Sequence, residues 1–299
     1  MKTPLLALLL ACAGGAWAQA PAAAAASAPA SAASAPAPNP HSGPEHTARI
    51  RSAHFTRLQE RLGAAPGQLR ETCRFESEVT TLPPPGRVAL TFDDGPEPGH
   101  TEQIIEVLAR HKVPATFFVI AEKAQRHADL LALQRGLPGA RVGSHSWSHP
   151  NFHQIDADAQ RREIDHADEA LAGHLLPAEA PAKLFRYPYG NSSCEGNQRL
   201  RERGFRIVGW HIDSCDWAFD GDGSVTLHEA LSCGVLPAFR RDFLGHVLAQ
   251  LRAHRGGIVL LHETHRITVQ QLDSLVQRLQ DEGYSFGVPD DPAFEADLR

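Results

Sequence analysis

Residues 88–96 read Val-Ala-Leu-Thr-Phe-Asp-Asp-Gly-Pro, a short apolar run that ends on two adjacent acids and a turn. Val88–Phe92 is too short for a helix and carries no charged position on either face. Such a run reads as a strand buried on both sides, the kind found in parallel sheets covered by helices. Pro83-Pro84-Pro85-Gly86 immediately before it is a strong break. After it a rhythm sets in. Strand-like runs at Ala115–Ile120, Arg141–Ser144, Leu184–Arg186, Arg206–His211, Gly257–Leu261 and Tyr284–Phe286 alternate with helical patterns near 102–111, 122–135, 156–175, 196–203, 241–254 and 268–282. The expected class is α/β: an incomplete or distorted (β/α) barrel of about seven parallel strands. An open doubly wound sheet is the alternative. Either way, functional residues collect at the carboxyl ends of the strands.

Outward from this core, the composition changes. The chain has 299 residues. Residues 1–18 have a basic start at Lys2, a short apolar run over Pro4–Ala11 and a small-x-small site at Ala16-Trp17-Ala18, the pattern of an export signal. The run is too short to span a bilayer, which takes about 20 residues. Leu9-Leu10-Ala11-Cys12 also resembles a lipoprotein signal in which Cys12 is lipidated. Both readings place the protein outside the cytoplasm, periplasmic, secreted or lipid-anchored to the envelope, with membrane attachment only through Cys12. Residues 19–44, almost all Ala, Pro, Ser and Gly, lack the apolar bulk to offset the entropy of ordering, so they read as a linker. In polyproline form it would reach roughly 80 Å at ~3.1 Å per residue. Residues 45–85 read as a helical extension, with Ile50, Phe55, Leu58 and Leu62 at helical spacing, and 86–299 as the main domain.

A formal charge of −6 with both signs interspersed argues against nucleic acid as a partner. Beyond Cys12, four cysteines remain: Cys73, Cys194, Cys215 and Cys233. An even number in an exported chain permits disulfides, with three possible pairings; free buried thiols are the other reading.

Five polar segments fall at strand ends. Asp93 and Asp94 follow the first strand. Consecutive side chains leaving a strand diverge, so one acid can hold a metal while the other faces a substrate; an Asp-Gly turn is the plainer reading. His145 and His149 can converge on one ion if their segment makes a helical turn. With 17 histidines in the chain, such spacing also arises by chance. Arg186, in Arg-Tyr-Pro-Tyr-Gly, can pair with a catalytic carboxylate. Asp213-Ser214-Cys215-Asp216-Trp217 and Leu260-Leu261-His262 close the next two, with His262 placed as a general acid or base.

Together, in order, these segments resemble the signatures of the NodB-type polysaccharide deacetylases, carbohydrate esterase family 4. The resemblance covers about Val88 to Val288. It implies that Asp94, His145 and His149 bind a divalent metal, zinc first, with cobalt, nickel or manganese as others. It implies Asp93 as the base that activates water, oriented by Arg186. His262 would be the acid that protonates the leaving amine, paired with Asp216 rather than Asp213. The Tyr189 amide would stabilise the oxyanion, and Trp217 and Leu260 would line a pocket for the acetyl methyl. The implied partner is an acetylated polysaccharide or oligosaccharide, the chain is expected to act as a monomer, and the activity is N-deacetylation. O-deacetylation of xylan and non-catalytic glycan binding are the alternatives. His262-Glu263-Thr264-His265 is one residue short of the zinc-peptidase His-Glu-x-x-His and follows a strand, so that chemistry is rejected. Glu263 and His265 are expected on the rim. The long stretch 218–239 is expected to border the substrate groove.

Overall fold

The computed structural model describes residues 73–175, 177, 178, 180 and 182–299. The expected signal, linker and helix before residue 73 lie outside the described residues. Of the extension expected at 45–85, residues 73–85 form a 3₁₀ turn at Cys73–Phe75 and a segment without regular structure.

The apolar runs become strands β1 (Arg87–Gly95), β2 (Thr116–Val119), β3 (Arg141–Ser144), β4 (Lys183–Phe185), β5 (Phe205–Ile207), β6 (Ile212–Asp213), β7 (Gly257–His262) and β8 (Ser285–Gly287). Their order is β5-β4-β3-β2-β1-β7-β6, with β8 pairing the start of β1. All these pairings are parallel. The helices between them are α1 (Thr101–His111), α2 (Ala121–Arg126), α3 (Ala128–Gly136), α4 (Ala157–Ala170), α5 (Cys194–Glu202), α6 (Leu227–Cys233), α7 (Phe243–His254) and α8 (Arg266–Asp281). The expected helix over 122–135 is divided at His127, whose φ of −124° and ψ of 55° leave the helical region. The run expected as one strand at 206–211 ends at Ile207, and the short β6 follows it.

The barrel stays incomplete, because β5 and β6 occupy the two ends of the strand order. The chain's last residues pair along β5 instead: Ile207 and Arg299 exchange backbone hydrogen bonds, and Val208 bridges Leu298. Phe294 and Leu298 pack with Ala89, Phe118, Leu184, Val208 and Ile258 on the inner face. The outer face of β1 (Val88, Leu90 and Phe92) joins the larger core under the helices. Helix α8 explains its own packing: Ile267, Leu272, Leu275, Val276 and Leu279 recur at helical spacing and are all buried. Each such side chain stabilises the fold by about 1.5–3 kcal/mol relative to exposure. Among the described residues no helix is long and apolar enough to cross a membrane.

The cysteines form two disulfides, Cys73–Cys194 and Cys215–Cys233. The first ties the segment before the sheet to the start of α5. The second ties the loop after β6 to the end of α6.

Candidate active site

Alternation along β1 aims Thr91 and Asp93 inward and Phe92 outward. Asp94 breaks the alternation. It sits at a β-bulge, since Asp93 pairs with Phe118 and Gly95 with Val119, and it has no partner in that ladder. Its backbone is left-handed, φ 68°. A bulge re-aims a side chain. Both acids therefore reach one site although they are neighbours in sequence. Asp94 Oδ1 lies 3.4 Å from His145 Nε2 and 3.1 Å from His149 Nε2, and all three residues are buried. The Gly at position 95 has its own reason: a Cβ there would meet the buried Glu263 carboxylate at 1.7 Å.

The histidines converge without a helical turn. His145–His149 is an irregular loop in which Ser146 and His149 take left-handed φ values of 68° and 60°. That brings the two imidazole centroids to 4.8 Å. Glu163, on α4, holds the loop by accepting from the amides of Trp147 (3.0 Å) and Ser148 (2.8 Å). Nothing in the local sequence pointed to Glu163. His145 Nδ1 donates to the Arg186 carbonyl at 2.7 Å, which leaves Nε2 as a lone-pair donor facing Asp94. One carboxylate and two imidazoles, each offering an atom within 4.8 Å of the others, suit a borderline divalent cation such as zinc.

Arg186 is fully buried behind Asp93. Its Nη1 donates to Asp93 Oδ1 (2.8 Å) and Thr91 Oγ1 (2.7 Å), Nη2 donates to the Gly209 carbonyl (2.9 Å), and Nε to the Val208 carbonyl (3.3 Å). Its guanidinium also lies 4.3 Å from the Phe118 ring centroid. Burial lowers the proton affinity of the guanidinium, and the adjacent Asp93 opposes that effect.

Across the cleft, β7 pairs in register with β1, so His262 stands beside Asp93. His262 Nδ1 donates to Asp216 Oδ1 at 2.7 Å, leaving Nε2 as its second ring nitrogen. Asp216 Oδ2 accepts from the His262 amide (2.7 Å) and from Thr268 Oγ1 (2.5 Å), a partner the sequence did not reveal. Burial by itself lowers the His262 pKa. The Asp216 charge and hydrogen bond more than reverse this, and the imidazole is pushed up to about 10. Asp216 is held below the usual carboxylate range: burial alone raises it, and the His262 charge and hydrogen bonds outweigh that. Asp213 serves the loop instead, accepting from the Cys215 amide (2.9 Å) and Trp217 Nε1 (3.1 Å).

Tyr187, Tyr189, Trp210 and Leu260 wall the pocket above Asp93, His145, His149 and His262. Trp217 is buried next to Asp216, its Nε1 bonded to Asp213, and is not among these wall residues. The indole on the pocket wall is Trp210, whose ring centroid is 5.6 Å from the Arg186 guanidinium. The sequence pattern places it inside the expected strand 206–211, with nothing that marks it as a pocket residue. Segment 218–239 contributes none of the wall residues; it carries α6, which a capping box formed by Thr226 and Glu229 starts. Glu263, expected on the rim, is fully buried. It accepts from Thr101 and from Gln134 Nε2 (2.7 Å), and burial pushes its carboxyl up to about 8. Strand alternation explains the difference, since Glu263 faces the helices when His262 faces the cleft. His265 is half-buried, with its ring 5.3 Å from that of His262.

Known proteins resemble this chain in sequence and in fold. Residues 81–208 match the polysaccharide deacetylase family model. A chitooligosaccharide deacetylase of Rhizobium leguminosarum bv. trifolii is 36% identical over 176 residues, 59% of this chain and 71% of that relative. The peptidoglycan-N-acetylglucosamine deacetylase PgdA of Listeria monocytogenes is 32% identical over 204 residues; the match covers 67% of this chain but spans only 37% of that relative's length. Among solved structures, the Bc1960 peptidoglycan N-acetylglucosamine deacetylase superimposes with a TM-score of 0.55 at 28% identity, over 69% of this chain and 89% of that one. Sequence and fold agree, and the chain belongs to the polysaccharide deacetylase family.

Proposed function

We propose that the chain hydrolyses N-acetyl groups of an acetylated amino-sugar polysaccharide outside the cytoplasm, at the cell envelope. One observation carries the reading. Two opposed proton-transfer pairs, Asp93–Arg186 and His262–Asp216, stand on adjacent strands beside the Asp94, His145 and His149 cluster. The names of the relatives, which specify peptidoglycan or chitooligosaccharide deacetylation, support the substrate class.

An unactivated amide needs a nucleophile, charge stabilisation and a protonated leaving group at once. Asp94, His145 and His149 would hold a divalent cation, zinc by preference, whose Lewis acidity would polarise the carbonyl and acidify water. The chain's own residues do the rest. Asp93 accepts a proton from the attacking water, and its ion pair with Arg186 fixes which oxygen points into the cleft. The Tyr189 amide, in the Pro188–Gly190 turn, donates to the developing oxyanion. His262 delivers a proton from Nε2 to the amine nitrogen as the C–N bond breaks, with Asp216 holding the imidazolium. Leu260 and Trp210 exclude water around the acetyl methyl.

Acetate release from N-acetylglucosamine oligomers and from peptidoglycan, with a chelator and with zinc, cobalt, nickel or manganese added back, tests the reading. The chelator should abolish release and one of the metals restore it. Asp93→Asn should lower kcat by about 10²–10⁴, the usual contribution of a general base. Release from acetylated xylan alone would replace N- by O-deacetylation. No release from any acetylated polymer with any of these metals would sink the proposal.

A further inference from the structure

The Asp93-Asp94-Gly95 turn has three successive carbonyls, and each is held differently. The Asp93 carbonyl accepts from the Glu263 amide (2.9 Å) and the Gly95 carbonyl from the Ile120 amide (3.0 Å). Both are backbone bonds from neighbouring strand ends. Between them, Asp94 is the bulged residue, for which the β2 ladder offers no partner. Its carbonyl accepts from Lys123 Nζ at 2.8 Å. Lys123 lies on α2, and its side chain is fully buried. The same ammonium donates to Glu97 Oε2 at 2.7 Å, which anchors it from the other side.

Burying an ammonium is costly unless it is paired and hydrogen-bonded. Here Glu97 pairs the buried charge, and its other bond goes to one backbone oxygen, that of a residue in a left-handed conformation that non-glycine residues adopt reluctantly. Rotation of the Asp94 peptide would break the Lys123 bond and swing the carboxylate away from His145 and His149. We infer that Lys123 is a positioning residue for Asp94: by clamping the bulge carbonyl it pre-sets the carboxylate for a divalent cation. The inference rests on the metal site proposed above, and it concerns a lysine outside all five signature segments.

The experiment is equilibrium zinc binding to the full chain stripped of metal, by competition with a chromophoric chelator, alongside zinc-dependent acetate release. Lys123→Met keeps the length and apolar stem but removes the donor. Zinc affinity should fall about 10–100-fold, the range for groups that orient a ligand from behind. At saturating zinc, kcat should recover and KM for the oligosaccharide should not move. Glu97→Gln alone, which leaves the Lys123–Asp94 bond in place, should retain zinc affinity. Leu272→Ala, a core truncation in α8, should lower Tm without moving the zinc midpoint, as a merely structural change does. Where Lys123→Met proves too unstable to purify, pairing it with Glu97→Gln removes the orphaned carboxylate and gives the same reading. Zinc affinity equal to that of the unaltered chain, in whichever of these variants folds, would overturn the inference. Failure of the unaltered chain to bind zinc would instead overturn the metal site itself.

Discussion

The two walls of the cleft are fastened by different means. The β1 wall is part of the sheet. Asp93 stands in register with both Phe118 and His262, and Arg186, with no exposed surface, braces it from behind through bonds to three other groups. The β6 wall leaves a strand of only two residues. Its loop, Asp213–Trp217, is held by its own side chains, by Thr268 and by the Cys215–Cys233 disulfide. A wall carried by a ladder inherits its geometry from many neighbours. A wall carried by a loop must supply its own restraints; both walls carry one left-handed residue, Asp94 at φ 68° and Cys215 at φ 60°.

The largest expected effect lies on the ladder side. Arg186→Met leaves Asp93 buried without its counter-charge, and breaking one partner of a buried pair costs about 3–5 kcal/mol. Urea unfolding of the metal-free chain measures it. A loss below about 1 kcal/mol, the scale of an exposed ion pair, would show that the sheet alone holds Asp93 and would break the comparison.

On the loop side, replacing Cys215 and Cys233 together by Ser opens a link across 18 residues. A closed loop of that size contributes about 3 kcal/mol in the chain-entropy account. Zinc affinity should be unchanged, because the metal ligands belong to the other walls. Weaker zinc binding in this variant would mean that the two walls are not independent.

Asp216→Asn tests what the loop delivers. His262 acts when protonated, and its folded pKa of about 10 lies above the ordinary imidazole value of about 6.5. Proton donation therefore persists to high pH in the native chain. Without the Asp216 charge, the alkaline limb of kcat/KM should move down towards neutrality, with about tenfold less activity for each unit lost once the pH lies above both the old and the new pKa. The stability of the metal-free fold has the same sign. The contribution of the pair is complete below the unfolded value and disappears as pH rises through about 10. An unmoved limb would assign the alkaline fall to another group.

The smallest effect is expected at Glu263→Gln, behind the ladder wall. Burial raises this carboxyl to about 8, so at pH 7 it is mostly protonated and glutamine is a close replacement. Stability at pH 7 should change by less than about 1.5 kcal/mol, as for isosteric core swaps. The native chain should lose stability between the unfolded glutamate value and pH 8, because the unfolded carboxyl ionises first. The variant should show a flatter profile there. An identical slope in both would place the ionised form inside the fold.

Much of this was legible without coordinates. The doubly buried strand at 88–92 and the alternation that follows it are direct consequences of which side chains avoid water, and they lead to a parallel sheet with polar residues at its ends. Val88, Leu90 and Phe92 fall under the helices because strand geometry leaves no other choice. The five polar segments were legible as well, and so were Asp93, Asp94, His145, His149, Arg186, Asp216 and His262 as one constellation. Harder to see were groups that act from far away in sequence. Glu163 and Thr268 bond their partners across 15 and 52 residues, and no local spacing encodes such a contact. The strand β6 was missed because two residues carry no periodicity.

Local rules also gave wrong expectations where two answers shared one pattern. An i, i+4 histidine pair suits a helical turn, yet Glu163 stabilises a left-handed loop that does the same work. Glu263 follows a cleft residue, and only the pleat decided that it turns to the helices. The amino-acid sequence by itself determined the class of fold and the chemical types at the site, because both follow from periodicity and from short ordered segments. Tertiary structure alone decided the bulge at Asp94, the pairing of the four cysteines and the distant partners Lys123, Glu163 and Thr268. These depend on which distant segments the sheet brings within hydrogen-bonding reach.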